Sequence, residues 1–151
     1  MGTLHGTIFD SETKRQIDAK VHILDAQGSF FYPATALLKN GPGTPFFFSN
    51  GEFEVSAGRG RADILVERGT EYEPIRTTVD LPEKGVRSVD IFLKRWYEPQ
   101  AQHWYPGNTH IHYDEKELRP DDRLGVDCSV EGYNVTVVSV LDRRQIPYAC
   151  L

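Results

Sequence analysis

Cysteine, methionine and long apolar runs are all scarce in this sequence. Its 151 residues include two cysteines and one methionine. Two cysteines are too few for a disulfide framework, so we expect Cys128 and Cys150 to form either a single bridge or a pair of reduced thiols. The longest apolar runs, such as Phe46–Phe48 and Val137–Val138, fall far short of the ~20 residues that span a bilayer. We therefore expect no membrane partner.

Positive charge is also in deficit. Lysine and arginine number 17 against 22 aspartates and glutamates, which leaves a formal net charge of −5. This balance does not favour binding to the phosphates of nucleic acids or of anionic lipids, so we expect no nucleic-acid partner.

The first residues, Met1–Gly6, lack the basic start and apolar stretch of a signal peptide. The default expectation is a cytoplasmic protein, or an extracytoplasmic one if a leader has been removed.

Glycine and proline, by contrast, are plentiful and divide the first two thirds of the chain into short segments. Thirteen glycines and nine prolines occur, and segments such as Ala19–Leu24 and Glu52–Val55 alternate apolar and polar residues between them. Period-two alternation is typical of strands with one buried face. Strands are predicted at residues 3–9, 19–24, 29–32, 52–55, 62–66, 72–79 and 86–93. Their regular spacing favours a mainly β fold, a seven- to eight-stranded antiparallel β-sandwich of the prealbumin or immunoglobulin type.

The character of the sequence changes after Leu93. The segment Asp114–Asp122 is acidic and polar, which indicates a short helix or a loop that ends at Pro120. The valine-rich run Tyr133–Leu141 is typical of a strand buried on both faces of a parallel sheet. These features predict an incomplete α/β segment at the C-terminal end. Because an unfinished sheet leaves strand edges open, we expect self-association through residues 133–141.

Four aromatic residues flank the linker that precedes this segment: Trp96, Tyr97, Trp104 and Tyr105. Large side chains with one polar tip often anchor the interface between two domains, and this is the favoured interpretation. The alternative is an exposed platform on which a sugar or a peptide stacks.

The pair His110 and His112 is the sharpest candidate site. Residues two apart on a strand lie on the same face, and neutral imidazoles suit zinc, iron or manganese better than magnesium or calcium. The pair therefore predicts a divalent metal ion. A catalytic zinc takes three protein ligands, and no spacing singles out the third. The candidates are Asp114, Glu115, Glu117, Asp127, Glu131 and Asp142. The alternative is two surface histidines that share a strand by chance.

Residues 1–96 resemble the carboxypeptidase regulatory-like domains. The resemblance rests on Gly6–Ile8, Val21–Ile23 and Gly51–Val55, followed by Gly58. It implies a seven-stranded, prealbumin-like sandwich that accompanies another domain and has no catalytic residues of its own. The long insert between Phe30 and Phe48 departs from the compact version of that family.

Residues 97–151 comprise the linker and a segment that resembles the first strands of the polymerase-and-histidinol-phosphatase (PHP) metallohydrolases, in their carbaryl-hydrolase-like branch. The similar stretch is Trp104–His112, and the resemblance implies that His110 and His112 are metal ligands. Asn108 stands where that pattern usually has aspartate. Leu141–Arg143 reads Leu-Asp-Arg where the wider family often has Thr-Asp-His, so the second ligand motif is missing or altered. Only a truncated start of the barrel domain is implied.

Together the resemblances imply the N-terminal part of a metal-dependent hydrolase acting on a small-molecule phosphoester, amide or carbamate. The metal would polarise the substrate and supply a hydroxide, and we expect this chain alone to be inactive. The alternative is a non-catalytic β-sandwich module that binds a partner or acts as a spacer. A third interpretation, a β-sandwich metalloenzyme of the intradiol dioxygenase kind, has only histidine and tyrosine content in its favour: Tyr72, Tyr97, His103 and Tyr105.

Overall fold

The computed structural model of the chain describes residues 2–39, 43–113 and 118–140. Within these ranges lie nine strands and one α-helix. The strands are β1 (Gly2–Asp10), β2 (Ala19–Asp25), β3 (Phe47–Ser49), β4 (Glu52–Ala57), β5 (Gly60–Glu67), β6 (Ile75–Leu81), β7 (Gly85–Leu93), β8 (Gly107–Tyr113) and β9 (Val135–Val140). The helix is α1 (Pro120–Val130), and a 3-10 turn covers Pro99–Gln102.

Strands β1 to β7 form two sheets that share one core. One sheet has the order β4-β1-β7 and the other the order β3-β2-β5-β6. Neighbouring strands are antiparallel, except that β1 and β7 run parallel. The apolar core takes side chains from both sheets, including Leu4, Ile23, Phe47, Ile64 and Leu93. The predicted β-sandwich is confirmed, with one parallel pair that the expected antiparallel arrangement did not include.

The alternation in the sequence explains which strand faces point into this core. In β1 every second residue is buried, and Leu4 and Ile8 are fully enclosed. The buried residues of β5 follow the same rhythm, with Ile64 and Val66 inside and their neighbours partly exposed. A strand that buries one face needs only this period of two, so the local pattern was enough to predict both strands.

Two parts of the second sheet differ from the prediction. The run at β3 does not alternate, so it was not predicted as a strand, yet all three of its residues are buried. The segment at 29–32 was predicted as a strand, but it makes only one bridge, between Phe30 and Leu24. Both segments lie along the same edge of β2: β3 pairs with Ala19–Val21, and Phe30 pairs with Leu24 further along.

The C-terminal segment runs β8, α1, β9, and its two strands pair in parallel. The helix begins at Pro120, where the predicted short helix or loop was expected to end; residues 114–117 of that predicted segment lie outside the described residues. Proline suits the first turn of a helix, where its missing N–H costs no hydrogen bond. Asp121 and Asp122 follow it in the first turn, where negative charge is favourable because of the helix dipole.

The helix packs on the sandwich, and the small sheet β8-β9 is left open to solvent. Val130 at the end of α1 is fully buried, whereas Val135 and Val137 of β9 are 59% and 50% exposed. The expectation of a strand buried on both faces is therefore wrong for these residues. None of the described helices is long and apolar enough to cross a membrane.

Candidate functional site

The predicted histidine pair lies on β8, at positions that are two residues apart. His110 is exposed, and its backbone N–H donates to Oδ1 of Asn108 at 2.9 Å. His112 pairs through its backbone with Ser139 of β9, and its side chain lies outside the described part of the structure. His110 is the middle residue of β8 and His112 lies nearer its carboxyl end, which is the end of a parallel strand where α/β proteins place their sites.

Two of the six candidate third ligands lie among the described residues, and neither forms a metal-binding group with His110. Asp127 and Glu131 belong to the end of α1 that faces the sandwich, and Glu131 is held by an ion pair with Lys20. The other candidates, Asp114, Glu115, Glu117 and Asp142, lie outside the described residues. In the ranges that the structure does describe, no group of three or more histidine, cysteine, aspartate or glutamate side chains is arranged to hold a metal.

The sandwich and the C-terminal segment meet at a junction, which has an apolar part and a polar part. In the apolar part, Val130 of α1 packs against Leu37 and Phe48 of the sandwich, with Phe46 and Val126 at the margin. Full burial of one valine side chain stabilises a contact by about 1.5–3 kcal/mol. This contact therefore fixes the end of α1 on the sandwich.

Polar contacts surround the apolar part of the junction. Lys20 of β2 pairs with Glu131 and also lies over the ring of Phe46, 5.4 Å from its centroid. At the other end of α1, the guanidinium of Arg119 donates to the carbonyl of Thr35 at 2.9 Å. The sequence did not point to these residues as a group, because Lys20 and Glu131 are 111 positions apart and no local pattern connects them.

A cavity of about 230 Å³ lies beside the junction. Gln100 on its wall donates to Oδ1 of Asn134 at 3.1 Å and to Oε1 of Glu71 at 3.5 Å. Two atoms near it, Nε of Arg95 and Oε1 of Gln100, are buried and have no hydrogen-bond partner among the described residues. A polar cavity of this size has room for several waters at about 30 Å³ each, and such waters commonly hydrogen-bond to buried polar atoms.

A buried polar network adjoins the cavity on the sandwich side. The Tyr72 hydroxyl donates to Oδ2 of Asp10 at 2.8 Å and accepts from Nη2 of Arg95 at 2.8 Å. Although burial raises the pKa of Asp10, hydrogen bonds from Thr13, Tyr72 and Glu12 outweigh it and lower that pKa overall. Burial is also the main cause of the raised pKa of Tyr72. The network ties the first strand to the start of the linker.

A groove of about 920 Å³ lies on the outer face of the four-stranded sheet. Four of its polar side chains form two pairs: His22 contacts Glu67 at 3.0 Å, and Arg61 contacts Asp63 at 2.9 Å. Hydrogen bonds from Thr78 and Arg61 lower the pKa of Asp63. Arg76 also lines the groove, so its wall carries charge beyond these two pairs.

The aromatic residues around the linker do not form a buried domain interface. Trp104 and Tyr105 are 70% and 62% exposed. Trp96 and Tyr97 stack on each other with ring centroids 5.6 Å apart, and Nε1 of Trp96 donates to the carbonyl of Thr70 at 2.8 Å. The favoured interpretation of these four residues as interface anchors is therefore wrong, because the junction uses aliphatic side chains and Phe48 instead.

Comparison with known proteins identifies similar folds but no family. No protein-family model matches the chain, and no curated protein matches it. A minor pilin of the Gram-positive pathogen Streptococcus agalactiae is similar over 65% of this chain and 46% of its own, at 15% identity and a TM-score of 0.44. The major pilin subunit of Bacillus cereus is similar over 62% of this chain and 30% of its own, at 16% identity and a TM-score of 0.41.

The chain thus matches less than half the length of either pilin. Similarity at this level does not indicate what the chain binds or does. The class of protein is defined by its own architecture: a seven-stranded β-sandwich that carries a β-α-β segment at its C-terminal end.

Proposed function

We propose that the sandwich is a non-catalytic module that holds the β-α-β segment in a fixed position. The observation that carries this proposal is the junction, in which Val130 is fully buried against the sandwich. A valine at the last position of a free helix would be solvated. Here it fills an apolar site formed by Leu37 and Phe48, so the sandwich contributes directly to where α1 sits.

The polar contacts of the junction support the same role. Lys20, Gln100 and Arg119 each connect one unit to the other, and they do so at separate points around the apolar contact. Contacts at several separate points restrict the rotation of the segment relative to the sandwich, and they also keep the two units from moving apart. The proposal assigns the sandwich a mechanical function, with any chemistry left to the segment that it holds.

The substitution Val130→Ser tests this function. It places a hydroxyl in an apolar site and removes a methyl contact, so we expect the amides of α1 to exchange with deuterium about tenfold to a hundredfold faster, for a loss of about 1–3 kcal/mol. The sandwich strands should keep their exchange rates. Hydrogen–deuterium exchange read by mass spectrometry measures both.

The matched control is Val86→Ser, at an exposed valine of β7, which should leave α1 unchanged. If Val130→Ser left the exchange of α1 as slow as in the wild type, the helix would not depend on the sandwich for its position. The mechanical role would then be wrong.

A second candidate function is divalent-metal binding at His110 and His112, as part of a metal-dependent hydrolase. The placement of His110 at the middle of a parallel strand and of His112 nearer its carboxyl end favours it. Imidazoles are suitable donors for zinc, iron or manganese, but the pair needs a further ligand to complete a catalytic site. A metal bound there would act as a Lewis acid towards the substrate. The part of this chain would be to supply two nitrogen ligands from β8.

Metal content tests the second candidate without an activity assay. The full chain is incubated separately with zinc, manganese and iron(II), dialysed, and analysed for metal. We expect about one equivalent in the wild type and at least a tenfold loss of affinity in the double variant His110→Ala, His112→Ala. The variant His103→Ala controls for the loss of a nearby exposed histidine. Equal binding by the double variant and the wild type would rule out this site, and it would leave the mechanical role untouched.

A further inference from the structure

The strand β9 presents an open edge. Within residues 2–39, 43–113 and 118–140, it pairs with β8 alone. In such a two-stranded sheet, the N–H and C=O groups on the outer side of β9 have no partner strand. An edge of this kind is a template for pairing with another strand.

The sandwich edges carry features that discourage such pairing. Charged residues lie on the three longer edge strands, and the fourth edge strand, β3, has only three residues. Charges and short length are common ways in which proteins protect sheet edges. The charged residues are Glu52 and Glu54 on β4, Arg76 and Asp80 on β6, and Arg87 and Asp90 on β7.

No such protection exists on β9. Its six residues are valine, threonine and serine only. Val135, Val137 and Val138 are 59%, 50% and 36% exposed, so apolar surface flanks the open edge. The other strand of the small sheet, β8, differs because it carries the two histidines.

Exposed aromatic side chains extend this surface at one end of the sheet. Trp104 and Tyr105 precede β8, and Pro106 accepts a hydrogen bond from the N–H of Asn134 at 2.8 Å. That bond holds the aromatic pair beside the start of β9. The two side chains are mostly exposed and present about 300 Å² in each copy, since a large aromatic side chain has roughly 150–250 Å² to bury.

We propose that two copies of this chain pair through their β9 edges, antiparallel, to form one four-stranded sheet of order β8-β9-β9-β8. Antiparallel pairing of a strand with itself follows a two-fold axis, so each outward N–H meets a C=O of the other copy. Because β9 carries no charge, like charges do not oppose each other across the new pair.

A second copy is the partner that this edge fits best. The edge has no charged group that would select a partner of opposite sign, and it is self-complementary in its backbone. The two copies together expose about 600 Å² of aromatic surface, at opposite ends of the new sheet. The part of this surface that the contact covers adds to the valines and the backbone of the two β9 strands, towards the ~1,000 Å² of a small specific interface. We expect a dimer whose population depends on protein concentration. The proposal does not depend on the mechanical role of the sandwich.

Analytical ultracentrifugation of the full chain over a hundredfold range of concentration tests the dimer. The wild type should shift from its chain mass of 17.1 kDa towards twice that value. Val137→Lys places a positive charge on β9 of each copy, so this variant should remain at the single-chain mass. The matched control is Val86→Lys, at the exposed valine of β7, which should dimerise as the wild type does.

Deuterium exchange on the unmodified chain gives an independent readout that needs no variant. The amides of β9 should become at least severalfold better protected as the concentration rises, while those of β6 and β7 stay constant. A wild-type chain that remains at the single-chain mass with concentration-independent exchange in β9 would overturn the proposal. So would a Val137→Lys variant that dimerises as strongly as Val86→Lys.

Discussion

At the scale of single residues, the Tyr72 hydroxyl is the most constrained polar group of the sandwich. It donates to Asp10 and accepts from Arg95, both at 2.8 Å, and Tyr72 and Asp10 are buried. A buried polar group is stabilising only when its partners are all present, because an orphaned partner keeps its desolvation cost. Removing this hydroxyl takes one hydrogen-bond partner from Oδ2 of Asp10 and one from Nη2 of Arg95.

Tyr72→Phe should therefore lower the free energy of unfolding by about 1–3 kcal/mol at neutral pH. Urea denaturation followed by circular dichroism measures the change. Tyr32→Phe is the matched control, because Tyr32 is exposed, and it should change the stability by less than about 0.5 kcal/mol. Equal stability of the two variants would show that the network contributes nothing measurable.

The effect of Tyr72→Phe also has an expected pH dependence. The pKa of Asp10 is lowered from 3.8 in the folded chain, so its stabilising contribution is present above pH 3.8 and is lost as the pH falls through the lowered folded-state pKa. Below that range the carboxyl is protonated and its bond with Tyr72 no longer involves a charge. The penalty of the substitution should accordingly shrink at the acidic end of a pH series.

At the scale of elements, α1 is a helix of low intrinsic propensity that tertiary packing stabilises. Gly125 lies in its interior, and Val126 and Val130 are β-branched, so its intrinsic propensity is low. Packing of the two valines on the sandwich supplies what propensity does not. The same packing has a cost, since it half-buries Asp127 one helical turn before Glu131.

Burial first, and the charge of Glu131 second, raise the pKa of Asp127 above 3.8. A carboxyl whose pKa is raised on folding favours the folded state when it is protonated, so its charged form becomes increasingly unfavourable as the pH rises through the raised folded-state pKa. Asp127→Asn removes that charge. We expect a gain of about 0.2–0.5 kcal/mol at pH 7, the usual cost of a like-charge pair four residues apart on a helix.

The thermal midpoint of Asp127→Asn, measured at pH 7 and at pH 3, checks this expectation. The stabilisation should disappear at pH 3, where the wild-type carboxyl is already protonated. Asp122→Asn is the control, and it should change the stability in the opposite direction. Asp122 is exposed in the first turn of α1, where its negative charge interacts favourably with the helix dipole, so removing that charge should lower the free energy of unfolding by about 0.3–1 kcal/mol. A destabilised Asp127→Asn variant at pH 7 would contradict the argument.

At the scale of the whole molecule, two sheets and a small α/β segment are arranged around contacts that are distant in sequence. The parallel pairing of β1 with β7 brings Gly2–Asp10 beside Gly85–Leu93. The junction brings β2 beside the end of α1. Neither arrangement has a local sequence signature. The exposed β9 is a consequence of the same arrangement, because α1 packs on the sandwich and leaves the small sheet uncovered.

Several features could be predicted from the sequence because each depends only on neighbouring residues. Alternation located β2 and β4, since one buried face needs a period of two. The valine-rich run located β9 and indicated a parallel sheet, and β9 does pair in parallel with β8. The histidine spacing remains a prediction of metal binding, because the described residues bring no cluster of ligands around His110.

The sequence by itself determined that this chain builds a β-sandwich followed by an α/β segment, because strand periodicity and apolar runs are local properties. Only the tertiary structure decided which strands are neighbours, that α1 begins at Pro120 and docks through Val130, and that the linker aromatics and β9 face solvent. These outcomes depend on which apolar surfaces pack against each other in the folded chain. The contact of Val130 with Phe48 stabilises one choice over the others, and no window of sequence contains both residues.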